Sequence, residues 1–482
     1  MRFFFINLPE NTMPRVHLFT RAWQVSIPVL LLVTISVLIL PATLLAVQAH
    51  TQLSVSFQSA QAANKACVTC HAQEDTDLRK SVHWTWQRKG MINGQVGLLD
   101  KQHSLARFGL VAAANPEPCL ACHLSIMPKM PGESIDMQGV VNCLVCHDTT
   151  GRYRADMPPE ELLTVVQQAG RPAPRNCRVC HDRDCGLSPD GTGPDSTADI
   201  HIRQLGFTCQ QCHSGLGGHA LVRSMVSPGG DGNRSGCMAC HNTRPHDQEQ
   251  LNRHGRFVAC QSCHIPAVAT GQPVVLNWNW LSASTAQPVC RTDGSPVIRH
   301  GFSAGKHIKP TYFWDDGSRR VYTRGTRIQG QEMILDQPGA RSPASTIMPF
   351  RTIFATQFKD RKYHYLLSPT LDRATPPFWP TDGLHQAIAR GMTKLRLPFS
   401  GAREPVVTLQ FRPLNHGVVR ARDSLGCMDC HGTRSGFTWQ QLGYRDDPWQ
   451  NREQRSPAMR ATPPTLGLPP VEESVLPTPS GQ

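Results

Sequence analysis

Sixteen of this chain's eighteen cysteines fall into eight copies of one short word, Cys-x-x-Cys-His. The copies begin at Cys67, Cys119, Cys143, Cys177, Cys209, Cys237, Cys260 and Cys427, and their second cysteines are Cys70, Cys122, Cys146, Cys180, Cys212, Cys240, Cys263 and Cys430. Random placement at the chain's own Cys and His frequencies would give roughly 0.03 copies of this word, which reads as covalent haem attachment. Two cysteines three apart on one helical turn both reach the vinyl groups of one porphyrin, and the histidine that follows sits beneath its iron. Zinc knuckles need two cysteine pairs per metal and no obligatory adjacent histidine, and a disulfide framework has no use for that histidine either. Eight covalently bound haem c groups are therefore expected, with His71, His123, His147, His181, His213, His241, His264 and His431 as proximal iron ligands.

Eight porphyrins reshape what the composition means. The net charge of +13 would otherwise suggest a nucleic-acid or membrane-surface partner. Haem propionates offset most of that charge, and Arg and Lys are their natural partners, so no nucleic-acid role is expected. The low aromatic content, 7%, fits a chain whose apolar interior comes largely from cofactor. The expected fold is mainly α with large irregular content: a multihaem cytochrome c fold built around eight stacked haems, with few short strands.

The chain divides unevenly. Arg2, Arg15 and Arg21 precede an apolar run from Val25 to about Val47 that contains Pro28 and Pro41. Residues 1–62 read as a signal peptide or an N-terminal membrane anchor, with small-residue cleavage sites at Val47-Gln48-Ala49 and, better placed, Ala60-Gln61-Ala62. Either form puts the haem-bearing part in the periplasm or otherwise outside the cytoplasm, anchored by residues 25–47 if the segment stays uncut. Residues 63–270 hold seven motifs separated by Gly- and Pro-rich loops. Residues 271–415 hold none and pack over the haem array, with strand-like runs at Val274–Trp280, Tyr312–Trp314, Arg319–Arg327 and Val406–Arg412 and a helix at Gly383–Lys394. The eighth haem segment covers 416–445, and 446–482 reads as a disordered Pro-rich tail.

An electron-transfer haem is closed by a second strong ligand, whereas a reactive one keeps an open or displaceable position. Thirteen of the twenty-one histidines lie outside the motifs. His17 and His50 fall in or beside the export segment and are set aside. His83, His201, His219, His246 and His254 sit between or beside motifs, and His416 shortly precedes the last one, so these six are the expected distal ligands. His103, His300, His307, His364 and His385 are weaker candidates, since an isolated histidine is more often hydrogen-bonded to backbone or propionate.

The words between the motifs carry a resemblance. They include His83-Trp84-Thr85-Trp86, Asn142-Cys143-Leu144-Val145-Cys146-His147-Asp148-Thr149-Thr150-Gly151 with Tyr153, and Phe207-Thr208-Cys209-Gln210-Gln211-Cys212-His213. Arg244-Pro245-His246, Val258-Ala259-Cys260-Gln261-Ser262-Cys263-His264-Ile265-Pro266, Lys309-Pro310-Thr311-Tyr312 and Leu414-Asn415-His416 follow. Over residues 67–436 the chain resembles the octahaem tetrathionate reductase family of periplasmic cytochromes. That resemblance implies seven bis-histidine haems and one reactive haem, here on Cys119, Cys122 and His123. It also implies a pocket of asparagine, cysteine, aspartate and a lysine ligand. Asn93 and Asp190 match two of these; Val96 stands at the cysteine position and Gly193 at the lysine position.

Cys185, four residues past His181, is a candidate replacement, as an iron ligand or a group handling a sulfur substrate. The competing reading, which an oxidising compartment favours, is a disulfide with Cys290, the other cysteine outside the motifs. The expected function is a multihaem oxidoreductase in which Asn93, Asp190 and Cys185 serve one haem acting on a small sulfur or nitrogen compound such as tetrathionate, nitrite or hydroxylamine. The alternative is a cytochrome that only transfers electrons. Its expected partner is a redox protein or a quinol-linked donor.

Overall fold

The computed structural model describes residues 50–51, 53–85, 87–100, 105, 109–115, 125–126, 139–181, 199–213, 219, 236–270, 274–281, 289–290, 296–297, 302–370, 383–432, 435 and 437–450. Its largest element is a sheet. The strands in chain order are β1 (Gln87–Ile92), β2 (Gln95–Asp100), β3 (Ser125–Ile126), β4 (Val140–Val141), β5 (Val274–Asn279), β6 (Val289–Cys290), β7 (Pro296–Val297), β8 (Phe302–Gly305), β9 (Thr311–Asp315), β10 (Arg319–Val321), β11 (Glu332–Pro338), β12 (Thr346–Asp360) and β13 (Arg403–Pro413). Nine of them form one mixed sheet in the order β2-β1-β10-β11-β13-β12-β5-β8, with β9 paired to β12. The remaining four make two small ribbons, β3 with β4 and β6 with β7.

This corrects the expectation of a mainly helical fold with few short strands: helices and a nine-stranded sheet share the molecule. The helix at Gly383–Lys394 and strands at Val274–Asn279 and Thr311–Asp315 stand where the sequence pattern puts them. The longest strand, β12, has no such clean pattern, because Arg351 and Gln357 sit on it fully buried. Their polar groups find partners in distant parts of the chain: Arg351 Nη2 donates to the Val275 carbonyl, Gln357 Nε2 donates to the Gly109 carbonyl at 3.0 Å, and Thr408 Oγ1 donates to Gln357 Oε1 at 2.6 Å.

The pleat of β12 sends alternate side chains into two cores. Ile353 and Ala355 join Trp278, Leu110, Val111 and the Ile388 and Met392 face of helix Gly383–Lys394. Phe350 and Phe354 face the other way, with Phe313, Leu409 and Phe411. The sheet is not confined to 271–415, since the hairpin β1–β2 joins it through the parallel pairing of Ile92 with Arg319.

The haem-attachment helices gather beside this sheet, docked to one another by buried amides and backbone hydrogen bonds. Asn64, fully buried in helix Ala60–Val68, gives Nδ2–H to the Ala60 carbonyl at 2.8 Å and accepts from Leu144 N at 3.0 Å, which locks the first motif onto the third. Asn176 of helix Pro174–His181 donates to the Asp148 carbonyl at 2.8 Å and so locks the fourth onto the third. Ser262 of helix Cys260–His264 donates to the Ile347 carbonyl of β12 at 2.7 Å, seating the seventh motif on the sheet. The eighth is tied to the seventh by Leu425 N donating to the Cys263 carbonyl at 3.0 Å and Val419 N to the His264 carbonyl at 2.9 Å. The described residues include His50, before residue 62, and Asp447 and Trp449, beyond 445, both of which contact His431.

Candidate haem-binding sites

At each described attachment point, local backbone geometry places the three functional groups on one side of a helical turn. The N–H of His71 donates to the Cys67 carbonyl at 2.9 Å, and His213, His241 and His431 do the same to Cys209, Cys237 and Cys427 at 2.9, 2.8 and 2.9 Å. A single turn closed in this way points residues i, i+3 and i+4 in one direction. Met238 and Met428, between the cysteines of the sixth and eighth motifs, are 55% and 70% exposed. Apolar surface is thus left beside the attachment points, where a porphyrin would meet it.

Every described motif histidine faces a second histidine. The ring-centre separations are 6.0 Å for His71 and His50, 5.8 Å for His147 and His219, 6.2 Å for His181 and His83, and 6.1 Å for His213 and His416. They are 6.2 Å for His241 and His201, 6.1 Å for His264 and His246, and 6.3 Å for His431 and His254. Two imidazoles sharing one metal, each bonded at about 2 Å, have their ring centres roughly 6 Å apart. Seven pairs within half an ångström of one another, assembled from distant parts of the chain, fit an iron between each pair.

The ring chemistry agrees. The Nδ1–H of His147 donates to the Gly170 carbonyl at 2.8 Å, and that of His254 to the Gln250 carbonyl at 2.9 Å. His201 Nδ1 bonds Asp199 Oδ1 at 3.1 Å, and His431 Nδ1 bonds Asp447 Oδ1 at 2.7 Å. Each bond fixes the tautomer and leaves the Nε2 lone pair for a metal. Burial holds His83, His147, His181 and His264 below the usual histidine range and takes His416 down to about 4, keeping these rings neutral, the form that binds metal.

All six histidines expected as distal ligands, His83, His201, His219, His246, His254 and His416, face a motif histidine. The seventh, His50, is the one that its nearness to the export segment had removed from consideration. Nothing local in the sequence marks it; only the fold brings it to His71. His307, His364 and His385 are exposed. Cys119, Cys122 and His123 lie outside the described residues, as do His103 and His300.

Of the expected pocket residues, Asp190 and Cys185 lie outside the described residues, and so therefore does any pairing of Cys185 with Cys290. Asn93 is placed. It and Gly94 form the two-residue turn of the β1–β2 hairpin, with φ of +52° and +83°, the backbone that Asn-Gly turns favour. Its amide is spent on β10, donating to the Val321 carbonyl at 3.1 Å and accepting from Val321 N at 2.8 Å. In this position Asn93 pins a hairpin to a strand. Val96 beside it is 82% exposed.

Neighbouring attachment points lie close together. The side chains of Cys67 and Cys143, Cys177 and Cys209, and Cys237 and Cys260 are near enough to shift each other's ionisation. Cys146 lies within electrostatic reach of Cys177, Cys212 of Cys237, and Cys263 of Cys427. The seven described sites therefore form a continuous series from the first motif through the third, fourth, fifth, sixth and seventh to the eighth.

Comparison with known proteins agrees with this geometry. Residues 276–434 match the family described as "Cytochrome c bacterial", and residues 195–265 match "Cytochrome c7 and related cytochrome c". The crystal structure of an octaheme cytochrome c from Shewanella oneidensis superposes with a TM-score of 0.73 at 29% identity, covering 85% of this chain and 99% of that one. This chain is a multihaem c-type cytochrome. It is also similar to the C-type polyheme cytochrome OmcC of Geobacter sulfurreducens, 26% identical over 170 residues, and to an uncharacterised protein of Archaeoglobus fulgidus, 30% identical over 133 residues. The matches cover 32% and 20% of this chain, and this multihaem cytochrome spans 21% and 44% of those two relatives.

The bonds from Asp199 and Asp447 were not legible as part of the sites. A carboxylate accepting from Nδ1–H makes an imidazole a stronger donor and favours the ferric iron. Burial alone would push the Asp447 carboxyl up, but hydrogen bonds from His431, Trp449 N and Gly432 N outweigh it and hold the group below the usual range, so it stays charged. Asp447→Asn is expected to raise the midpoint potential of one haem. In a spectroelectrochemical titration a fraction equivalent to one haem should become reduced earlier; a titration superimposable on the wild type would refute the tuning role.

Proposed function

We propose that this cytochrome is an exported octahaem oxidoreductase. Seven bis-histidine haems relay electrons to or from an eighth, on Cys119, Cys122 and His123, where a small sulfur or nitrogen compound such as tetrathionate, nitrite or hydroxylamine reacts. The observation that carries the reading is the pairing itself: each of the seven described motif histidines has a histidine opposite. Saturated irons exchange electrons and bind nothing, so ligand chemistry falls to the remaining iron. The series of neighbouring attachment points supports the relay, since haems held at successive points would pass electrons along it. When bound, the haems supply the redox chemistry; the chain supplies axial imidazoles, fixes their tautomers through Gly170, Gln250, Asp199 and Asp447, and keeps them neutral by burial.

The site of action is proposed to be periplasmic or otherwise extracytoplasmic, where c-type haem is attached, with a redox protein or quinol-linked donor as partner. No helix among the described residues is long and apolar enough to cross a membrane.

The reduced protein is expected to bind one carbon monoxide per eight haems, and the ferric protein to show one high-spin iron that shifts on adding cyanide or nitrite. Eight low-spin irons insensitive to both would sink the enzyme reading and leave a carrier that only transfers electrons. Two or more open irons would contradict the assignment of the seven pairs.

A further inference from the structure

His50 stands three residues past the apolar run that ends near Val47, yet it belongs to a haem site. Of the two small-residue cleavage sites, Ala60-Gln61-Ala62 lies inside the fold. Ser59 accepts from Ala62 N at 3.1 Å and caps helix Ala60–Val68, while Phe57, Ala60 and Ala63 are buried against Leu144, Leu162 and Val165. A cut after Ala62 would remove the cap, uncover that cluster, and leave the iron of the first motif with His71 alone.

The other site, Val47-Gln48-Ala49, ends at the residue before His50. From His50 onward the chain makes contacts with the rest of the fold. Leu53 N donates to the His50 carbonyl at 3.2 Å, Gln167 Nε2 donates to the Leu53 carbonyl at 2.7 Å, and Leu53 packs against the Phe57 and Leu162 cluster. Pro28 and Pro41 interrupt the preceding apolar run, which suits a leader better than a continuous membrane helix.

We propose that export processing hydrolyses the Ala49–His50 peptide bond, so that His50 is the first residue of the mature protein and gives its imidazole to the iron of the first motif. One water adds across the amide: the new carboxylate stays on Ala49 of the released leader, and the new amine, protonated, stays on His50. The enzyme class required is an endopeptidase that reads small residues one and three positions before the cut. The proposal rests on the export and bis-histidine reading above.

The test is N-terminal sequencing of the holoprotein purified from a secreting host that attaches c-type haem, with haem content measured on the same sample. The expected start is His50-Thr51-Gln52-Leu53. A start at Ala63, at Met1 or at any other residue overturns the processing site, even if eight haems are present. A protein without haem overturns the reading beneath it instead. His50→Ala, reduced and titrated with carbon monoxide, is expected to bind one equivalent more than the wild type; no added binding overturns the assignment of His50 as the ligand.

Discussion

Asp199→Ala should open two irons with one substitution. Asp199 is buried, and its two oxygens serve two neighbouring sites. Oδ1 takes the bond from His201 Nδ1 at 3.1 Å and from His201 N at 3.0 Å, orienting the imidazole opposite His241. Oδ2 accepts from Gly417 N and Val418 N, both at 3.0 Å, and so fixes the loop that carries His416 opposite His213. Removing the carboxylate strands four N–H groups, three of the backbone and one of the His201 ring, at about 1–3 kcal/mol for one that is buried, and loosens ligands whose orienting partners are typically worth roughly 10–100-fold in metal affinity. The reduced variant is expected to bind two equivalents of carbon monoxide beyond the wild type, at the irons of the fifth and sixth motifs. Asp199→Asn keeps an oxygen for the loop but turns an N–H toward His201, so one added equivalent is expected. An alanine variant that binds no more than the wild type would show that neither ligand depends on Asp199.

Phe350→Ala should cost about 3–5 kcal/mol, the usual range for emptying a fully buried phenylalanine site. Phe350 has no exposed surface and meets Phe313 edge-on, with ring centres 5.6 Å apart. Phe313 in turn meets Phe411 at 4.6 Å, so the cavity would unseat an aromatic cluster linking β9, β12 and β13. The same β12 carries the Ile347 carbonyl that receives Ser262 of the seventh motif. The thermal or denaturant midpoint should fall accordingly, while the low-spin spectrum below the transition stays that of the wild type. A loss under 1 kcal/mol would mean that the sheet core relaxes around the cavity.

Much of the site was legible because haem attachment is a local code. Three residue types at fixed spacing suffice, since one helical turn delivers them to one porphyrin, and eight turns identify eight anchors regardless of the fold between them. Six distal histidines were legible for a weaker reason: His83, His201, His219, His246, His254 and His416 sit near motifs, and short tethers limit where they go. His50 was not, because its value depends on helix Ala60–Val68 folding back against the third motif. Asp199 and Asp447 were not either, since an aspartate acquires an orienting role only when a ring nitrogen arrives beside it. Asn93, which the resemblance assigns to the pocket, stands in an Asn-Gly turn with its amide bonded to Val321, a placement that depends on β10.

The fold divides along the same line. Strand β5, with its run of Val, Leu and Trp, and helix Gly383–Lys394, with its apolar stripe, follow from periodicity. Strand β12 does not, because Arg351 and Gln357 break the alternation and are tolerated only through Val275, Gly109 and Thr408, residues far away in sequence. By itself the sequence carried the code for covalent haem and marked the cysteines and histidines that write it, because three residues at fixed spacing share a single turn. Tertiary structure alone decided which histidine stands opposite each of the seven described motif histidines, which carboxylates orient them, and how those sites follow one another in a series, because those relations link residues that only folding brings together.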